Sequence, residues 1–270
     1  MAAWRAGIHA GWRAGDPPAA AVGHLPVQVG GVRCLRCAGD AGAPLLIYLH
    51  GGGYALGSTE VALPITSRLS EGFELSSVDY RLAPEHPYPA AVTDCLAVVR
   101  ASTEERPGLP FVMVGDSAGA NLVVATTVGL LARGEQGPAA LALLSPHLDH
   151  SVAAGATGTD PVDADQQAGE WLSAAYCSGM ERADPAVSPL HADLAGLPPT
   201  LVQVADSEPL LGHSVRFARL ARLAGVDVTL DVWNGLWHTW HYHRELPEAD
   251  QALAEVRAFL HSQLGRTAES

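Results

Sequence analysis

The sequence predicts an α/β domain with a mostly parallel central sheet and helices on both of its faces. Two observations support this prediction. Between residues 45 and 145, short apolar runs of strand length alternate with longer stretches of helical periodicity, which is typical of parallel sheets. The chain has 270 residues, of which 48% are hydrophobic, and this is enough for one large buried core but little for two. We therefore predict a single domain over residues 1–270.

The individual elements are predicted from the spacing of the apolar residues and from the turn residues between them. A final helix carries an apolar stripe that includes Leu253 and Leu264, and Gly265 is its predicted stop. The predicted strands cover residues 26–38, 45–49, 75–79, 111–114, 139–145, 200–205 and 226–232, and the other predicted helices cover residues 60–68, 91–103, 121–133 and 209–224.

Two segments do not fit this alternation, and we predict that they form a small helical cap. Residues 1–25 are rich in Ala, Gly and Pro with weak periodicity, a pattern that fits either a short helix with a linker or partial disorder. Residues 146–199 are acidic and proline-rich, with a helix around Trp171 and Tyr176. Such a cap would exclude water and shape a substrate pocket. The alternative for residues 146–199 is a surface excursion without a functional role.

Three prolines preclude regular structure between residues 79 and 91, so this stretch is predicted to be a rigid loop. We expect ion pairs that involve Asp79, Arg81 and Glu85 to hold it in place.

Charge and composition exclude several classes of protein. The net charge of -13 argues against nucleic acid and anionic membranes as partners. The chain contains no lysine, which excludes Schiff-base enzymes, pyridoxal-phosphate enzymes and P-loop NTPases. The first fifteen residues have no apolar core of a signal peptide, and no apolar stretch reaches membrane-spanning length, so we expect a cytoplasmic protein without a membrane partner.

The segment Gly115-Asp-Ser-Ala-Gly119 follows an apolar run and precedes a helical one. A serine between two glycines at a strand-to-helix turn is the pattern of a nucleophile elbow, because the turn exposes the hydroxyl where a base can reach it. Ser117 is therefore the candidate nucleophile. Asp116 is acidic and adjacent to it, and we interpret Asp116 as structural.

A second glycine-rich segment, His50-Gly-Gly-Gly-Tyr54, ends a short buried strand. Consecutive glycines leave backbone N–H groups uncovered, which favours an oxyanion hole that stabilises the negative oxygen formed when a carbonyl is attacked. The alternative is a flexible glycine turn. A P-loop is excluded, since no Lys-Ser or Lys-Thr follows.

A serine hydrolase on a parallel sheet needs a histidine base on a loop at the same edge as the nucleophile. His238 follows the last predicted strand and is the candidate base. His241 and His243 complete an H-x-x-H-x-H cluster with it, and a metal site is the weaker interpretation because a base that pairs with Ser117 explains more of the sequence. We predict neither a metal nor a cofactor.

Two candidates for the triad acid lie two residues apart, Asp206 and Glu208. Pro209 suits the first turn of a helix, which places Glu208 in the loop beyond the strand end, whereas Asp206 lies closer to the strand. The acid must project from the loop to accept a hydrogen bond from the histidine. We therefore favour Glu208 over Asp206.

Together these segments resemble the hormone-sensitive-lipase-like family of α/β-hydrolases, the bacterial carboxylesterases related to arylacetamide deacetylase. The resemblance extends from about Leu45 to the C-terminus. The motifs that carry it are His50-Gly-Gly-Gly-Tyr54, Asp79-Tyr-Arg-Leu-Ala-Pro-Glu85, Gly115-Asp-Ser-Ala-Gly119, Ser207-Glu-Pro-Leu210 and the Gly-x-x-His that ends at His238.

This resemblance implies the α/β-hydrolase fold, with Ser117 as nucleophile and His238 as base. It also implies an oxyanion hole made by the backbone N–H groups of Gly52, Gly53 and Ala118, and it supports Glu208, which stands where the family usually has aspartate. The sequence departs from the family pattern in two places. The longer glutamate requires its loop to sit slightly further back, and the short segment before the first strand implies a smaller or more open cap.

The predicted function is hydrolysis of short- to medium-chain acyl esters by a Ser-His-Glu/Asp triad through an acyl-enzyme. The predicted partner is a small-molecule ester, and a homodimer is allowed. Lactone or amide hydrolysis would use the same residues. The alternative from another class is a non-catalytic receptor for a small ligand on the same fold.

Overall fold

Eight strands form one sheet in the computed structural model, which describes residues 23–151 and 166–269. The strands are β1 (His24–Val29), β2 (Val32–Cys37), β3 (Leu45–Leu49), β4 (Glu74–Val78), β5 (Phe111–Asp116), β6 (Ala140–Leu144), β7 (Thr200–Ala205) and β8 (Val228–Trp233). Their order across the sheet is β1-β2-β4-β3-β5-β6-β7-β8. Only β2 runs against its neighbours, and β4, β3 and β5 to β8 are parallel. The predicted mostly parallel sheet is therefore confirmed.

Helices cover both faces of this sheet, as the sequence predicts. They are α1 (Leu63–Leu69), α2 (Ala90–Glu105), α3 (Ala118–Leu131), α4 (Gln166–Cys177), α5 (Leu211–Leu223) and α6 (Pro247–Glu269). Apolar side chains of α2, α3 and α5 pack on one face, and those of α1 and α6 pack on the other. Successive side chains of β3 alternate between the two faces, Ile47 with the first group and Leu46 and Tyr48 with the second.

Several element boundaries differ from the prediction, and three of these differences concern turn and end signals. Residues 26–38 form a hairpin of β1 and β2 rather than one strand, because Gly30 and Gly31 both have positive φ, at 57° and 80°, and make a tight two-residue turn. The helix predicted from Pro209 begins two residues later, at Leu211. The last helix continues past Gly265 to Glu269. A single glycine inside a well-packed helix costs only about 1 kcal/mol, which is too little to end it.

Two of the three residues expected to hold the rigid loop after β4, Asp79 and Arg81, form ion pairs. Asp79 pairs with Arg33 of β2 at 2.7 Å, and Arg81 pairs with Asp94 of α2 at 2.7 Å. Both partners lie outside the loop, so its first residues are fixed to β2 and to α2 rather than to the rest of the loop.

The described part of the predicted cap is α4 and a short 3₁₀ helix, Pro189–His191. Tyr176 of α4 stacks on Tyr54, with ring centroids 3.8 Å apart, which places α4 over the glycine-rich loop after β3. The predicted cap segments at residues 1–22 and 152–165 lie outside the described residues, and Leu25 belongs to β1. Among the helices that the structure describes, none has the length and hydropathy needed to cross a bilayer.

Candidate active site

The candidate site residues lie on loops that follow five neighbouring parallel strands. His50 follows β3, Ser117 follows β5, Ser145 follows β6, and the segments that carry Glu208 and His238 follow β7 and β8. Because the carboxyl ends of parallel strands meet at one edge of a sheet, these loops converge there. The topology therefore brings together residues separated by up to about 190 positions in sequence.

Ser117 occupies a sharp turn between β5 and α3, with φ 50° and ψ −115°. Only small residues fit around it. A Cβ on Gly119 would lie 2.0 Å from the carbonyl oxygen of Leu49, and a Cβ on Gly115 would lie 2.5 Å from the backbone of Gly119. Positive φ is unfavourable for a serine, so the surrounding hydrogen bonds must hold the turn. The Ser117 N–H donates to Leu144 O at 2.8 Å.

The side chain of His238 lies between Ser117 and Glu208. Its Nε2 is 3.1 Å from Ser117 Oγ, and its Nδ1 is 3.4 Å from Glu208 Oε1. A neutral imidazole can therefore accept the serine proton at Nε2 while Nδ1–H faces the carboxylate. The 3.4 Å contact is long for a hydrogen bond, as is common in hydrolases without bound substrate.

Glu208 and Asp206 have different surroundings. Glu208 is fully buried, and its second oxygen, Oε2, accepts hydrogen bonds from Ser145 Oγ at 2.7 Å and from the N–H of Ala205 at 3.1 Å. Asp206 is exposed, and its Oδ1 accepts the N–H of Gly235 at 2.9 Å. Glu208 thus lies beside His238, whereas Asp206 holds the turn at Gly235, which precedes His238 in the chain.

The glycine-rich loop after β3 presents backbone donors beside the nucleophile turn. Gly52 and Gly53 have positive φ, at 117° and 58°, which favours glycine. Within residues 23–151 and 166–269, the N–H groups of Gly52, Gly53 and Ala118 donate no hydrogen bond to another residue. Ala118 is the first residue of α3, where the helix leaves its N–H groups free for an anion.

Leu172 of α4 covers this loop. A Cβ on Gly53 would lie 2.6 Å from Leu172 Cδ1, so the isobutyl group sits directly against the glycine. The cap helix therefore bounds the space next to the candidate oxyanion donors with an apolar side chain.

Asp116 is buried beneath the same loop and is fully engaged by three donors. Its Oδ1 accepts the Tyr48 hydroxyl at 2.6 Å and the Gly51 N–H at 2.8 Å, and its Oδ2 accepts the Tyr242 hydroxyl at 3.1 Å. Burial raises the pKa of Asp116, and these hydrogen bonds act against that rise. Asp116 joins the glycine-rich loop to the nucleophile turn.

The other histidines of the predicted cluster have partners of their own. His241 is buried, with its Nε2 3.2 Å from Gln203 Oε1, and burial lowers its pKa well below the usual value. His243 Nδ1 lies 3.1 Å from Glu245 Oε1. His238, His241 and His243 thus point to three different partners. Among the residues that the structure describes, no three His, Cys, Asp or Glu side chains are arranged so that they could hold a metal ion.

A second group of histidines, His147, His150 and His213, lines the side of the site beneath α4 and was not recognised in the sequence. The ring centroid of His147 lies 4.6 Å from that of His150 and 5.3 Å from that of His213. Burial, and then the neighbouring rings, lower the pKa of His147 well below its usual value and that of His150 to about 3. Burial lowers the pKa of His213 to about 4. These rings are neutral at ordinary pH.

Comparison with known proteins agrees with this arrangement. Residues 46–242 match a family model described as the alpha/beta hydrolase fold. An acetyl-hydrolase of Streptomyces hygroscopicus is 37% identical over 230 residues, which are 82% of this chain and 76% of the relative. An esterase of Acinetobacter venetianus is 36% identical over 245 residues, which are 87% of this chain and 80% of the relative. The crystal structure of the HSL-homolog EstE7, from a metagenome library, has a TM-score of 0.88 and 34% identity, and the match covers 96% of this chain and 92% of that one.

Proposed function

Because this chain belongs to the α/β-hydrolase family, in its hormone-sensitive-lipase-like branch, we propose that it hydrolyses carboxylic esters through an acyl-enzyme on Ser117. The reaction class predicted from the motifs agrees with the names of its relatives, acetyl-hydrolase and esterase. The observation that carries the proposal is the continuous contact from Ser117 through His238 to a buried carboxylate, at 3.1 and 3.4 Å.

The first half of the reaction forms the acyl-enzyme. Ser117 Oγ attacks the ester carbonyl carbon while His238 Nε2 takes the hydroxyl proton, and the carbonyl π electrons move onto oxygen. The resulting oxyanion is stabilised by the N–H groups of Gly52, Gly53 and Ala118, which have no other acceptor in the described chain. Collapse of the intermediate expels the alcohol, which receives its proton from His238.

The second half releases the acid. Water attacks the acyl carbon with His238 again as general base, and the carboxylic acid leaves as Ser117 recovers its proton. During both steps the imidazole becomes transiently positive. Glu208 stabilises that charge across the Nδ1···Oε1 contact, and its exposure of 0% means that little solvent screens the interaction. We assign the acid role to Glu208 and not to Asp206.

The described part of the cap supports the predicted preference for short- to medium-chain acyl esters. Leu172 lies against Gly53, and Tyr176 of the same helix stacks on Tyr54. An apolar wall this close to the oxyanion donors leaves limited room on that side. Lactones and amides remain alternative substrates of the same residues. The cytoplasmic location, the homodimer and the single domain with its cap remain predictions from the sequence.

The direct test is the turnover of p-nitrophenyl acetate and butyrate by wild type and by Ser117→Ala. We expect kcat to fall by a factor of about 10⁴ or more, with the circular dichroism spectrum unchanged. A non-catalytic receptor, the alternative from another class, would turn over neither ester in wild type. Undiminished turnover in folded Ser117→Ala would overturn the assignment of the nucleophile. A chain-length series of p-nitrophenyl esters then defines the acyl preference.

A further inference from the structure

Ser145 lies outside the catalytic triad but has a constrained position next to it. It directly follows β6, it is fully buried, and its φ is 46°, in the left-handed region that serine seldom adopts. Its backbone N–H donates to Gln203 O on β7 at 2.8 Å. The backbone of Ser145 is therefore fixed between two central strands, and its side chain has little freedom.

The Ser145 hydroxyl contacts both of the loops that carry the other two triad members. It donates to Glu208 Oε2 at 2.7 Å and accepts the backbone N–H of Thr239 at 3.1 Å. Thr239 directly follows His238 and also has positive φ, at 53°. A hydroxyl can donate once and accept as well, so one side chain links the acid to the loop of the base.

We propose that Ser145 is a positioning residue that sets the geometry of Glu208 relative to His238. The inference rests on the proposed function of the triad. Glutamate has one more rotatable bond than aspartate, so a glutamate acid needs more restraint to keep one oxygen directed at the histidine. Ser145 and the N–H of Ala205 hold Oε2, which leaves Oε1 for His238.

Removing the hydroxyl would leave Oε2 with one donor instead of two in a fully buried site. A buried carboxylate that loses a donor reorients to recover one, so the Nδ1···Oε1 contact would lengthen. The Thr239 N–H would also lose its acceptor. Because Ser145 acts through Glu208 and not on the ester itself, the loss should appear in kcat more than in KM.

A double-mutant cycle between Ser145 and Glu208 tests this proposal. We measure p-nitrophenyl butyrate kinetics for wild type, Ser145→Ala, Glu208→Ala and the double variant. Ser145→Ala should lower kcat by roughly 10-fold with KM within about twofold, and it should cost less than about twofold once Glu208 is already alanine. Ser145→Gly provides a second hydroxyl deletion that suits the positive φ, in case the alanine variant does not fold.

Ser207→Ala is the matched control, because Ser207 Oγ bonds Leu236 O and so joins the same two loops without touching the carboxylate. Ser207→Ala should change kcat by the same factor in the wild-type background and in Glu208→Ala. The proposal is overturned if deleting the Ser145 hydroxyl leaves kcat unchanged, if the loss persists undiminished in Glu208→Ala, or if Ser207→Ala couples to Glu208 equally strongly. If the proposed function is wrong, wild type itself will not turn over the ester. If only the proposal for Ser145 is wrong, wild type will turn over the ester normally.

Discussion

The backbone N–H of Gly51 donates a hydrogen bond to Asp116, the residue directly before Ser117, over an N···Oδ1 distance of 2.8 Å. This bond joins the loop with the candidate oxyanion donors to the turn with the candidate nucleophile. The candidate oxyanion donors and the candidate nucleophile must face the same ester carbonyl, and a single buried carboxylate, that of Asp116, holds both segments. The sequence predicts a structural role for Asp116, and this contact defines that role: Asp116 joins the glycine-rich loop to the nucleophile turn.

Asp116→Ala should therefore weaken both catalysis and folding. It leaves the Gly51 N–H and the Tyr48 hydroxyl without their buried acceptor, which costs about 1–3 kcal/mol of folding free energy per group, and it frees the glycine-rich loop. We expect kcat to fall by about 10-fold or more, which is less than the roughly 100- to 1000-fold loss when an oxyanion donor is removed outright, because the donors are displaced and not deleted. Thermal melts and p-nitrophenyl butyrate kinetics measure the two effects.

Tyr242→Phe is the control for this variant, since it removes the donor to the other oxygen of Asp116 and leaves the Gly51 bond in place. It should lower the melting temperature and leave kcat within about twofold. An equal loss of kcat in both variants would mean that the bond to Gly51 has no special role.

The acid assignment makes a second prediction, in which Glu208→Ala is compared with Asp206→Ala. Glu208 is buried against His238, so its loss should lower kcat by a factor of about 10³ to 10⁴. Asp206 is exposed, and its side chain accepts the N–H of Gly235 on the turn before His238, so its loss should cost less than about tenfold. The reverse ranking would transfer the acid role to Asp206.

In the acid limb of its pH profile, kcat/KM should depend on the protonation of a single group. Protonation of His238 removes the general base, so the rate falls as pH falls. Burial lowers the pKa of His150 to about 3 and that of His213 to about 4, and it lowers the pKa of His147 well below its usual value. These three rings therefore stay neutral above about pH 5 and add no second proton there.

The measurement is the limiting slope of log kcat/KM against pH on the acid side of the profile, at constant ionic strength and above about pH 5. A limiting slope of one is expected, and His213→Gln should keep it. A slope of two would show that a second histidine of the site titrates together with His238.

The sheet and the positions of the main site residues could be predicted because local signals were strong. Apolar runs marked the parallel strands, and the glycines around Ser117 and after His50 marked turns that only glycine fits, as the 2.0 Å approach at Gly119 illustrates. Parallel strands bring their carboxyl ends together, so the convergence of these loops followed from strand order alone.

The remaining features depend on contacts between distant residues, which spacing does not encode. Asp79 pairs with Arg33 and not within its own loop, and Ser145 reaches Glu208 across 63 positions. Ser145 carries no motif around it, and its only signal was its place at the end of a central strand. The turn at Gly30 and Gly31 was a missed local signal, since two adjacent glycines inside an apolar run indicate a hairpin.

Covalent labelling tests whether Ser117 is an activated nucleophile without depending on the choice of ester substrate. Wild type and Ser117→Ala are incubated with a fluorophosphonate probe, and the adduct is located by peptide mass spectrometry. We expect one adduct per wild-type chain, on Ser117, and none in folded Ser117→Ala. An unlabelled wild type, or an adduct on another serine that persists in Ser117→Ala, would contradict it.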